Sequence, residues 1–266
     1  MVVNASTGPF LKRMLGQRSG MLVCALPAEL GGKQLLGILA DHSIRLNMGH
    51  VFQMDGATYD GATLDGCIDP GIANALTRAY MRSKPDYRLF ERPIDKSVLM
   101  EMIHTVMNDG NLAIGHLHSD SSFIALDKLR KISSSSTALA SILNGIFAIN
   151  YINLLCPYCK TEVPPAHFPG DLILTGELDG ALLTQYRGAG CEHCGETGYA
   201  ECDVLTECLE ITPEIRDALL RSEVRNSLKR LGKINGTATF LDSAWVFFRS
   251  GLTTLDEVRR IAAATK

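Results

Sequence analysis

The chain has 266 residues, 46% hydrophobic and 21% charged, with a net charge of −3 and a pI near 6.2. That suits one large domain or a domain plus a module, with no basic excess to advertise nucleic acid and no like-charge run to make a tail. The N-terminus, MVVNASTGPFLKR, lacks an apolar core behind a basic start and does not read as a signal peptide.

Residues 20–26 read as a buried strand and 33–42 as a helix. Between them LPAELGGKQ, from Leu26 to Gln34, has the strand–glycine loop–helix layout of a phosphate-binding loop without its usual spelling. GHVFQMD (49–55) reads as a second strand ending at an acid, followed by turn-rich sequence and a helix over 70–82. DYRLFE (86–91) is a third candidate strand, 96–108 a helix, and NLAIGHLH (111–118) a fourth strand ending in histidines. Strands alternating with helices predict a mostly parallel α/β sheet, and such sheets gather ligands at the carboxyl ends of their strands. Lys33, Asp55, Glu91 and His118 all fall near such ends.

The longest charge-free stretch runs from Ile132 to Cys159. Its serines and asparagines argue against a membrane span. The spacing of Leu139, Ile142, Leu143, Ile146, Phe147, Tyr151, Leu154 and Leu155 predicts a one-sided, buried helix. From 156 to 202 the sequence is rich in Gly, Pro and Cys. Helices resume over 213–232, 240–250 and 254–264, with Thr212-Pro213 as a helix start and Thr254 to Glu257 as a capping box. The expected division is a core over 1–150, a cysteine module over 151–210 and a helical region over 211–266.

Four of the eight cysteines form two Cys-x-x-Cys pairs, Cys156/Cys159 and Cys191/Cys194, 31 residues apart. Two such knuckles can place four thiolates at the corners of a tetrahedron, the closed geometry of structural zinc. Free thiols in a reducing cell are the plain alternative, and a redox pair fits two pairs less well than a metal does. His193, inside the second pair, reads as a surface residue because four cysteines complete the set. The metal's expected role is to fold a segment too poor in apolar residues to fold alone.

GCEHCGETGY (190–199), LLCPYCK (154–160) and GLTTLDEV (251–258) resemble the C-terminal region of the type II secretion and type IV pilus assembly ATPases. That family spells the region Cys-x-x-Cys, then Gly-Cys-x-x-Cys-x-x-Thr-Gly-Tyr, then a Glu-x-Leu that Glu207-Cys208-Leu209 matches. Glu201-Cys202 stands where the family has Gly-Arg. Upstream, LTRAYMRSKPDYRLFE (76–91) resembles the arginine-bearing segment and acidic strand, with Arg78, Arg82, Pro85 and Asp86 in register. GNLAIGHLHSD (110–120) resembles the histidine box, with His118 on its histidine. The resemblance implies a RecA-like P-loop NTPase core with a structural zinc module and C-terminal helices, without the domain such ATPases carry ahead of their motor. It also implies ATP and Mg as ligands, hexamers, inner-membrane platform proteins as partners, and a cytoplasmic place against the inner membrane.

Against the loop form Gly-x-x-x-x-Gly-Lys-Ser/Thr, Gly32 and Lys33 remain, and Gly31 beside them is a further candidate for the nucleotide. The first glycine position is Pro27, which has no N–H; Leu30 stands on a third glycine; and Gln34 replaces the magnesium-binding hydroxyl. The family's Glu-Asp pair becomes Met54-Asp55. Glu91 sits one residue early for the family's Gly-Glu, on the opposite strand face unless a one-residue gap intervenes. Lys33 and His118 read either as remnants of a nucleotide site or as an exposed helix-start lysine and a strand-end histidine; His116 reads as structural. Arg78 and Arg82 either reach a neighbouring subunit's phosphates or solvate a helix face. The expectation is a degenerate family member with impaired or absent hydrolysis, structural or regulatory in its machine. The alternatives are an active divergent ATPase using Glu91 and His118, and a docking protein built on the zinc module.

Overall fold

The computed structural model describes residues 7–45, 51–54, 87–163 and 184–265. In chain order these form α1 (Thr7–Leu15), β1 (Gly20–Leu26), α2 (Gly32–Arg45), β2 (Val51–Met54), β3 (Tyr87–Pro93), α3 (Lys96–Asp109), β4 (Leu112–His118), α4 (Ser122–Ile132) and α5 (Ser136–Ile142). Then come β5 (Leu143–Leu155), β6 (Lys160–Val163), β7 (Gln185–Gly188), β8 (Tyr199–Glu210), α6 (Pro213–Leu220), α7 (Arg225–Ile234), α8 (Phe240–Arg249) and α9 (Leu255–Ala264). The helix expected over 70–82 lies outside the described residues.

Six strands make one sheet in the order β2-β3-β4-β1-β5-β8. The first five are parallel and β8 runs antiparallel to β5. β1 is buried at every position, as its unbroken apolar run GMLVCAL requires of a strand covered on both faces. Its odd-numbered residues Met21, Val23 and Ala25 face a large core shared with α3 to α9, and Leu22 and Cys24 face a smaller one under α1 and α2. Local chemistry sets the helix ends. Asp95 caps α3 by accepting from the Val98 amide, and that bond, with one from Ser97, holds its carboxyl below the usual range.

The sheet corrects one expectation. The stretch predicted as a long amphipathic helix is a helix only to Ile142; from Leu143 it is a 13-residue strand between β1 and β8. Its residues divide with period two, Ile146, Ala148 and Ile152 toward the large core and Phe147 and Ile149 toward the small one. The predicted helix over 213–232 is also two helices, broken where Ser222 takes a φ of 56° and Arg130 donates to the Glu223 carbonyl. The expected N-cap at Thr212 forms. The capping box at Thr254 is half made: Thr254 accepts from the Glu257 amide, while the Glu257 carboxylate takes the Asn153 amide and Arg260.

Glu207 of β8 ties three elements together. It is fully buried and accepts from the Ser122 amide and hydroxyl at the start of α4 and from the Phe240 amide at the start of α8. Burial raises its pKa, against the pull of those hydrogen bonds and of Lys229. Lys229 is lowered, chiefly by its own desolvation.

Candidate functional site

Two sites emerge. The first lies at the carboxyl ends of β1, β3 and β4, where Leu26 pairs with His118 in register. After β1 the chain closes as a tight turn, with the Leu30 amide donating to the Pro27 carbonyl at 3.1 Å. Among the described residues no position from Pro27 to Gly32 has a positive φ, so the successive amides do not turn inward as an anion nest. Gly31 precedes α2 and Gly32 opens it. The Gln34 side chain folds back over Gly31, where an added Cβ would lie 2.0 Å from Oε1. The His116 imidazole packs on Gly32 so closely that a Cβ there would lie 2.2 Å from its Cδ2.

Lys33 Nζ stands 3.4 Å from Glu91 Oε2, with the lysine side chain 60% exposed and the glutamate 17%. Glu91 therefore points toward the loop. The register of β3 against β4 slips between Phe90 and Pro93, and this irregularity re-aims the residues within it, as bulges do. His116 is buried, bonded to the Phe90 backbone, and has no hydrogen-bond partner on Nδ1. Its pKa is held below the ordinary histidine value first by burial and then by His118 and Lys33. His118 ends β4 with its ring edge-on to His116 at 5.7 Å, and its carbonyl accepts from Lys128. Lys33, Glu91, His116 and His118 thus converge on one edge; Asp55, Arg78 and Arg82 lie outside the described residues.

The second site is the cysteine cluster. The ligand atoms of Cys156, Cys159, Cys191 and Cys194 all lie within 4.8 Å of one another. The Sγ separations of 3.7 Å (Cys191–Cys194), 3.8 Å (Cys156–Cys191) and 3.9 Å (Cys159–Cys194) are far too long for disulfides. They match the edge of about 3.8 Å expected of a tetrahedron with metal–sulfur bonds near 2.3 Å. The four residues could hold a metal ion. At Cys194 burial acts to raise the thiol, but the Cys191 and Gly198 amides, aimed at its sulfur at 3.3 Å, together with the Cys191 and Cys159 thiols, outweigh it and bring the pKa down to about 6. Desolvation foremost pushes Cys159 up to about 12. The Thr-Gly-Tyr after the second knuckle has a steric reason: Gly198 has a φ of 79°, and a Cβ on the facing Gly188 would lie 2.1 Å from the Gly198 carbonyl. His193 is exposed and stacks on Tyr158, away from the ligand set.

The grip of Glu207 on two helix starts and the seat of His116 on Gly32 have no signal in local sequence. The Tyr158–His193 stack has a faint one, since each residue immediately precedes the second cysteine of its pair.

A mostly parallel sheet with a strand–loop–helix at its carboxyl edge, joined to a tetracysteine cluster, defines a RecA-like ATPase fold carrying a four-cysteine module. The solved structures agree: the Legionella pneumophila ATPase DotB superposes with a TM-score of 0.61 at 14% identity, over 96% of this chain and 64% of that one. The pilus retraction motor PilT with bound ADP gives 0.58 at 15%, over 97% and 65%. The chain belongs to the type II/IV secretion system protein family, whose model matches residues 41–260. It is 29% identical over 191 residues to the type IV pilus assembly ATPase PilB of Thermus thermophilus, covering 70% of this chain and 21% of that protein. It is 29% identical over 198 residues to the putative type II secretion system protein E of Escherichia coli, covering 74% and 39%. The chain therefore spans well under half the length of these two relatives. Among the described residues no helix is long and apolar enough to cross a membrane.

Proposed function

We propose that this chain is a secretion- or pilus-machine ATPase relative whose nucleotide site hydrolyses ATP weakly or not at all, and which serves its machine as a structural or regulatory component. The observation that carries this is the loop itself. Its turn is closed by Leu30 and Pro27, its lysine is engaged by Glu91, and His116 sits on Gly32. A phosphate loop works by presenting consecutive amides and a free lysine to the β and γ phosphates. Here what remains is the N-terminus of a 14-residue helix, a weak anion site by itself. A carboxylate bound to the loop lysine also has to yield before phosphate can take its place.

In this reading Cys156, Cys159, Cys191 and Cys194 hold a structural zinc, which closes the knuckles and supplies no reaction chemistry. The core over 1–150, module over 151–210 and helical region over 211–266 act as one body at the cytoplasmic face of the inner membrane. Its partners are platform proteins of the machine, and it joins a hexamer alone or beside an active ATPase.

One purified sample decides between readings. Metal analysis is expected to return one zinc per chain, and calorimetry with ATP and magnesium to show no heat at millimolar nucleotide. A second reading, an active divergent ATPase, draws on the convergence of Lys33, Glu91 and His118 at one edge. Magnesium-dependent turnover abolished by Lys33→Ala would establish it and overturn the first.

A further inference from the structure

The metal module carries a feature that neither the cluster nor the nucleotide edge uses. Tyr158 is 73% exposed. Its ring stacks on the exposed His193 with centroids 4.2 Å apart and planes 22° from parallel. Each residue directly precedes the second cysteine of a different knuckle, so the convergence of the four sulfurs sets the spacing of the two rings. Lone exposed aromatics are ordinary on protein surfaces. A stacked pair from two separate segments, each ring next to a cysteine of the cluster, is a preformed platform that loses little freedom when something binds it.

The charge of the module selects the occupant. Glu192, between Cys191 and His193, is exposed, as are Glu196, Glu162 and Glu201 on the same module. Of the module's described cations, Lys160 already lies over the Tyr186 ring at 4.2 Å, which leaves Arg187 on β7 as the exposed one. Aromatic faces on a carboxylate-rich module suit a guanidinium: planar, weakly hydrated, able to stack on a ring while its N–H fork engages a carboxylate. An ammonium matches the charge but not the plane. An anionic lipid surface meets the wrong charge.

We infer that Tyr158 and His193, with Glu192 next to His193 in the chain, form a docking face for an arginine-bearing segment of a partner protein. The full-length, metal-loaded protein is titrated with the fluorescein-labelled peptide Gly-Arg-Gly-Arg-Gly and with its lysine counterpart, following anisotropy. The arginine peptide binds at least about threefold more tightly than the lysine peptide, the size of an exposed cation–π preference. Tyr158→Ser and Glu192→Gln each weaken it about threefold or more, with metal content and circular dichroism unchanged. His193→Ser does the same and covers the case in which one variant loses its metal. Equal affinity for both peptides overturns the proposal. So does no binding at millimolar peptide, indifference to Tyr158→Ser in the metal-loaded protein, or a preference for a leucine peptide or anionic vesicles.

Discussion

Gly32 and His116 show how a single contact can close a site. A glycine at the start of α2 leaves room beside the backbone, and in this fold that room is filled by an imidazole from the neighbouring strand rather than by solvent or ligand. Gly32→Ala should therefore destabilise the protein by about 1–3 kcal/mol, the usual cost of forcing extra atoms into a packed place. In a His116→Ala background the same substitution should be close to neutral, because the atom that collides is gone. Urea unfolding of the four proteins of that cycle measures the coupling; additive effects would mean the ring moves aside freely. Glu91 makes the same point about direction. Alternation along a regular strand sends it away from the loop, and the irregularity before Pro93 brings it to Lys33.

Among the elements, β5 and β8 decide most. Apolar residues spaced for a helix over 139–155 also contain Ile146, Ile149 and Ile152, β-branched residues that pack well on a pleated surface. What settles their conformation is a backbone partner on each side, β1 and β8, which no local window reveals. β8 in turn anchors the helices through Glu207. Glu207→Ala leaves the Ser122 and Phe240 amides buried without their acceptor and should cost about 3 kcal/mol in denaturant unfolding. The pH dependence has a definite sign. Burial raises the folded pKa of Glu207 above its unfolded value, so its protonated form favours folding and that contribution is lost as pH rises from about 4.5 through the folded pKa. The stability of the wild type should fall relative to Glu207→Gln as pH rises above about 4.5; a constant difference would contradict the raised pKa.

At the scale of the whole molecule, hydrogen bonds join the cysteine module and its strands to the last two helices. The Leu155 amide donates to the Leu252 carbonyl, Thr253 donates to the Asn153 carbonyl, and Tyr199 bonds Thr254 at 2.8 Å. β5 enters the module from the main sheet and β8 returns to it, so the cluster is continuous with the core. Removing the metal with a chelator under reducing conditions should lower the melting temperature of the whole chain by at least about 5 °C, since ligand-set binding energy is folding energy and 1 kcal/mol moves a protein of this size by about 2–4 °C. Cys191→Ser should reproduce the shift, and Cys202→Ser, an exposed cysteine of β8 outside the cluster, should not. An unchanged melt after verified metal loss would separate the module from the core.

What short-range chemistry controls could be read directly: the two Cys-x-x-Cys knuckles, the alternation that makes a parallel sheet, the caps at Thr212 and Thr254, and the missing glycines and hydroxyl of the loop. The knuckles, the caps and the loop's missing residues each depend on positions close together in the chain, and the sheet on the order of its apolar runs, so sequence order alone determined them. The strand identity of β5, the aim of Glu91, the seat of His116 on Gly32 and the grip of Glu207 on two helix starts were decided only by the tertiary structure. Those contacts join residues far apart in the chain, and their free energy is set by which backbone groups find partners once the sheet has assembled.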